Sequence, residues 1–90
     1  MGERKYMKKI CFYNNKNIIA ERLKALREEK GLSQSNLAAR LQTMNVNIDQ
    51  QMISKIENNN RQVTDYELAC ICKCLGVTPN DLLDFLKIEL

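Results

Sequence analysis

Residues 33–58 read SQSNLAARLQTMNVNIDQQMISKIEN, and the fold turns on how this stretch divides. Ser33 is a good helix N-cap, because its hydroxyl can accept one of the backbone N–H groups that a helix start leaves unpaired. Leu37, Ala38 and Leu41 then fall on one face, which predicts a short helix over roughly 34–42. The polar segment 42–47 contains Asn45 and Asn47, residues that tolerate left-handed turn conformations, so the chain is expected to turn there. Asp49 caps the next helix, about 50–58, in which Met52, Ile53 and Ile56 face inward. Gln50, Gln51, Ser54, Lys55 and Asn58 are left pointing out. Asn58, Asn59 and Asn60 close it, since Asn is the side chain best suited to a left-handed cap. Two short helices joined by a turn make a helix-turn-helix candidate.

The flanks extend the same pattern. Before it, Ile19, Leu23 and Leu26 recur at helical spacing from Ile18 onward, and Gly31 stops the helix. After it, Thr64 with Glu67 and Thr78 with Asp81 are capping boxes, the second with Pro79 at the first helical position. Leu68, Ile71, Cys72 and Leu75 give the fourth helix its apolar face before Gly76, and Leu82, Leu83, Leu86 and Leu90 give the fifth its own. The reading is all-α: a compact five-helix domain over 18–90 preceded by an arm over 1–17, in which residues 10–13 could form a short strand.

At 90 residues the chain has room for one core and little more. It contains no His, which removes the usual general base, the commonest metal ligand and every Ser-His or Cys-His nucleophile pair. No enzyme activity and no cofactor is expected, and nothing resembles a separate sensor domain for a small molecule. The net charge of +3 is unevenly spread: residues 1–17 carry +4, residues 18–64 carry +2 and residues 65–90 carry −3. A polyanion would therefore meet the front half first. Cys70, Cys72 and Cys74 alternate along a helix and lack the spacing of zinc knuckles, so they and Cys11 are read as small core or half-buried residues, with no metal and no disulfide framework. No run of apolar residues suffices for a membrane span or secretory leader, and a cytoplasmic location is expected.

Leu32-Ser33-Gln34, Leu37-Ala38, Ile53-Ser54-Lys55-Ile56-Glu57-Asn58 and Leu75-Gly76-Val77, taken in order, resemble the phage repressor and Cro-like helix-turn-helix family, also called the xenobiotic-response-element family. The resemblance runs from about 18 to 83, nearly three quarters of the chain. It implies a lambda-repressor-like bundle whose third helix lies in the major groove, normally in a homodimer on a two-fold-related operator of double-stranded DNA. A transcriptional regulator of the repressor type is the expected function.

Gln50 and Gln51 open that helix, where base edges come nearest, and a Gln amide matches adenine N6 and N7 as a donor and acceptor pair. Ser54 is a further base-contact candidate, and Met52 divides between the core and a thymine methyl. Gln34 matches the family position that meets a phosphate at the start of the second helix. Lys55, Asn58 and Arg61 are candidate backbone contacts, with Arg40 and Lys9 behind them; the alternative for all of these is a solvated polar face. Arg27 and Glu57 match the Arg and Glu that pair in many family members, and they are assigned a structural role.

Two departures bear on the reading. The connection between Leu41 and Ile53 is several residues longer than the usual turn, with Gln42 where the family has Gly. The second helix is expected to run on towards Met44, with Val46 and Ile48 packing under the longer loop and Asn45 or Asn47 able to reach the DNA backbone. The arm has no counterpart in the pattern. A competing reading makes the bundle a protein-interaction module, such as an antitoxin or partner-docking regulator, acting through the C-terminal helix with Phe85, Leu86, Ile88 and Leu90.

Overall fold

In the computed structural model, which describes residues 16–83, helix starts are set by side chains that take up unpaired backbone donors. Ser33 and Asn36 exchange side-chain to backbone bonds at 3.0 and 3.3 Å and open α2 (Gln34–Thr43). The Asp49 carboxylate accepts from the Met52 N–H at 2.8 Å and opens α3 (Gln50–Glu57). Thr64 with Glu67 opens α4 (Asp65–Leu75), and Thr78 with Asp81, with Pro79 in the first turn, opens α5 (Pro79–Leu82). The first helix, α1 (Ala20–Glu29), starts two residues later than Ile18, because the Asn17 side chain accepts the Ile19 N–H at 2.9 Å and turns the chain there.

Four helices end in one way. Gly31, Asn45, Asn59 and Gly76 have φ of 72°, 65°, 62° and 69°. In each case the next residue's N–H reaches back to the helix: Leu32 to Arg27 O, Val46 to Leu41 O, Asn60 to Lys55 O and Val77 to Cys72 O, at 2.7–3.1 Å. This is the Schellman closure, which satisfies carbonyls that the last turn leaves unpaired. It also explains the missing glycine. α2 runs past Leu41 through Thr43 to a cap at Met44, and Asn45 then supplies the left-handed residue.

The five helices form an all-α bundle without strands among the described residues. α3 packs on α1 and α2, α2 also packs on α4, and α5 closes the bundle against α1 and α4. Leu23, Leu37, Leu41, Ile53, Ile56, Ile71 and Leu82 are completely buried at its centre. Val46 and Ile48 are as deeply buried, so the longer loop before α3 has its own apolar anchors. Arg22 Nε donates to the Asp81 carbonyl at 3.0 Å, tying α1 to α5. Cys72 is buried and Cys70 and Cys74 are half-buried, all three as free thiols. The strand over 10–13, Cys11, Lys9 and the C-terminal Phe85, Leu86, Ile88 and Leu90 lie outside the described residues.

Candidate nucleic-acid interface

α3 has two unlike faces. Ile53 and Ile56 are fully buried and Met52 is half-buried against the core, which is where the 3.6-residue period puts them. Gln50, Gln51, Lys55 and Asn58 are exposed on the opposite stripe, with Ser54 half-buried between them. The side chains of Gln50, Gln51 and Lys55 make no hydrogen bond to any described residue, so their donors and acceptors face solvent uncommitted. Asn58 Nδ2 donates to Ser54 Oγ at 3.4 Å, joining neighbouring positions four apart along the stripe.

The other face is clamped. Arg27 of α1 donates from Nε and Nη2 to the two carboxylate oxygens of Glu57 at 2.6 and 3.0 Å, and from Nη1 to the Leu32 carbonyl at 2.8 Å. The two side chains are only 9% and 3% exposed, so the pair joins α1 to the last turn of α3 inside the protein. Hydrogen bonding to Glu57 drives the Arg27 pKa up, with burial opposing it. Gln34 enters the same cluster, its Nε2 donating to Glu57 Oε1 at 3.0 Å. This places the start of α2 beside the end of α3. One of Gln34's two amide hydrogens is thereby spent within the protein.

A family model described as helix-turn-helix matches residues 23–82, two thirds of the chain and every helix from within α1 to the end of α5. The chain belongs to the repressor and Cro-like helix-turn-helix family. Comparison with curated proteins and with solved structures gives no match. As a member of a family of DNA-binding regulatory domains, this helix-turn-helix protein is a DNA-binding regulator. No helix among its described residues is long and apolar enough to cross a membrane.

Arg61 occupies a different setting from the open stripe. Its guanidinium holds the Glu67 carboxylate in a fork, Nη1 to Oε1 and Nη2 to Oε2 both at 3.0 Å, and Nη1 also donates to the Gln62 carbonyl. Only Nε–H and one Nη2 hydrogen remain for any outside acceptor. The Arg61 fork holds the Glu67 carboxyl below the usual range, and the Thr64 N–H it accepts adds to the effect. Arg40 is exposed, and its Nη1 donates to the Cys74 carbonyl at 3.3 Å.

The helix-turn-helix unit contains one set of contacts that the sequence reading left with the arm. Asn17 Nδ2 donates to the carbonyls of Ile56 and Arg61 at 3.0 and 2.9 Å, and Asn59 Oδ1 accepts from the backbone N–H groups of Lys16 and Asn17 at 2.8 and 3.1 Å. Lys16 and Asn17 are therefore fastened to the end of α3. The left-handed Asn59 was legible as a cap, but its partner more than forty residues away had no signal in the spacing.

Proposed function

We propose that this protein is a sequence-specific transcriptional regulator of the repressor type that lays the exposed stripe of α3 in the major groove. Gln50, Gln51 and Ser54 contact base edges, with at least one A·T pair in each half-site. Lys55 and Asn58 contact the DNA backbone. The start of α2 contributes its free N–H groups and the second amide hydrogen of Gln34, and Arg61 contributes the donors that Glu67 leaves. A homodimer on a two-fold-related operator, in the cytoplasm, completes the reading.

What carries it is the contrast between the two faces of one helix. Uncommitted amides on one face stand opposite a buried Arg27–Glu57 fork on the other, so the stripe is presented rigidly while its hydrogen-bonding capacity is kept for a partner. Lys55 is the sole charged side chain of that stripe, and the nearby Glu57 charge is neutralised by Arg27.

Selection of duplexes from a random pool with the purified protein supplies the preferred site. On that site Gln50→Ala or Gln51→Ala is expected to cost about 1–3 kcal/mol while binding to unrelated duplex is nearly unchanged. Lys55→Ala should weaken all duplexes alike and reduce the salt slope by about 1. Equal loss on every sequence for the two glutamine variants would remove them from base readout.

A further inference from the structure

At the other end of α2 from Gln34, a thiol meets a thioether, with a second thiol one helical turn away. Met44 caps α2, and its Sδ accepts from the Cys74 thiol at a sulfur–sulfur distance of 3.3 Å. Cys70 stands four residues before Cys74 in α4, the spacing that stacks side chains on one helix face, while Cys72 between them is buried on the core side. Burial pushes the Cys74 thiol pKa up, with Cys70 adding to the effect and Arg40 opposing it. Cys70, Cys74 and Met44 are each half-buried, so the cluster is sheltered yet open to a small solute.

Two thiols and a thioether are a poor set for a hard cation or for zinc, which takes thiolate, imidazole and carboxylate. Among the described residues no three of His, Cys, Asp and Glu come together to complete such a set. Cys and Met together select Cu(I). Ligands about 2.3 Å from a metal in tetrahedral or trigonal arrangement lie ~3.8–4.0 Å apart. The Cys74–Met44 separation of 3.3 Å therefore needs only a small opening. Two thiolates around Cu(I) leave one net negative charge, and Arg40, donating to the Cys74 carbonyl at 3.3 Å, lies beside it.

We propose that Cys70, Cys74 and Met44 form a binding site for a soft monovalent cation, Cu(I). Each bound ion replaces the two thiol protons, which pass to solvent, and no electron is transferred. The site uses none of the residues proposed above to contact DNA.

The test is an anaerobic titration of the reduced full chain with Cu(I) against a chromogenic Cu(I) chelator. The wild type and Cys11→Ser are expected to withdraw a single equivalent. Cys70→Ser and Cys74→Ser should weaken binding by about 100-fold or more, beyond the roughly 10- to 100-fold that loss of an outer-shell partner costs. Met44→Leu, which conserves volume, should weaken it about 10-fold or more, and thermal melts of the metal-free variants verify that each folds. Failure of the wild type to compete, equal retention by either Ser variant in α4, loss on Cys11→Ser, or unchanged affinity in Met44→Leu would each overturn the three-sulfur site.

Discussion

The two ends of α3 are held by different physics. Its start is delivered by a loop whose anchors are apolar: Val46 and Ile48 are buried under it, and the polar ties are the Asp49 cap and a 3.3 Å bond from Gln42 Nε2 to the Ile48 carbonyl. Its end is held by a connected polar network in which Glu57 is shared by Arg27 and Gln34, Asn17 grips the Ile56 and Arg61 carbonyls, and Arg61 is itself forked onto Glu67. Apolar anchoring is tolerant of direction, whereas a bidentate fork fixes an angle. The clamped end therefore sets how the exposed stripe is aimed, and the apolar end sets how deeply the helix sits.

The largest effect is expected at Glu57. Glu57→Ala would strand the Arg27 guanidinium, 9% exposed, without its carboxylate. Removing one partner of a buried pair costs about 3–5 kcal/mol, against roughly 0–1 kcal/mol for an exposed one. Urea unfolding of the variant measures the difference. A loss under ~1 kcal/mol would mean that water, Gln34 or the Glu28 carboxylate, 3.9 Å from Arg27 Nη2, replaces the Glu57 carboxylate, and the end of α3 would be no more constrained than its start.

A smaller effect is expected at the outer edge of the same network. Glu67 is 14% exposed and its fork partner Arg61 is 25% exposed, so the pair is partly solvated and Glu67→Gln, which still serves the capping box, should cost about 0.5–1 kcal/mol at neutral pH. The folded-state pKa of Glu67 is lowered, chiefly by the hydrogen bond from Arg61. Its contribution is therefore complete above the unfolded Glu value of about 4.3 and drains away as pH falls through the lower folded value. The stability gap between wild type and Glu67→Gln should close under acid. A gap that stayed constant from neutral pH to about pH 3 would show that the fork adds nothing through charge.

The same division governs what could be read in advance. The start of α3 was legible because its determinants are local: an Asp before an apolar run, and two apolar residues, Val46 and Ile48, in an otherwise polar connection. So were the capping boxes at Thr64 and Thr78. The end of α3 was legible only in part. Arg27 and Glu57 were singled out through a family resemblance, and no periodicity relates residues 30 apart. The Gln34 bond to Glu57, the Asn17 and Asn59 contacts and the Arg61 fork are products of tertiary placement, and each converts a side chain that reads as solvated polar surface into an internal tie. The open stripe was readable as a face because burial follows helical spacing on one helix, without reference to the rest of the chain.

The finest distinction concerns the two left-handed asparagines, one before α3 and one after it. Asn45 and Asn59 have nearly the same φ, 65° and 62°, and Gly would relieve the backbone at both. Glycine also leaves a freer unfolded chain, an opposing term of about 0.5–1 kcal/mol, so on backbone grounds each substitution should move stability by only a few tenths. The side chains differ. Asn45 makes no side-chain hydrogen bond to a described residue, whereas Asn59 Oδ1 accepts from two backbone N–H groups at 2.8 and 3.1 Å. Each such bond is worth about 0.5–1.5 kcal/mol net. Asn45→Gly should therefore be neutral or slightly stabilising and Asn59→Gly destabilising by about 1 kcal/mol, the low end for two such bonds because water replaces the exposed one from Lys16, a difference that parallel thermal melts read. Equal effects would show that the Lys16–Asn17 strap contributes no more to the end of α3 than the bare Asn45 turn contributes to its start.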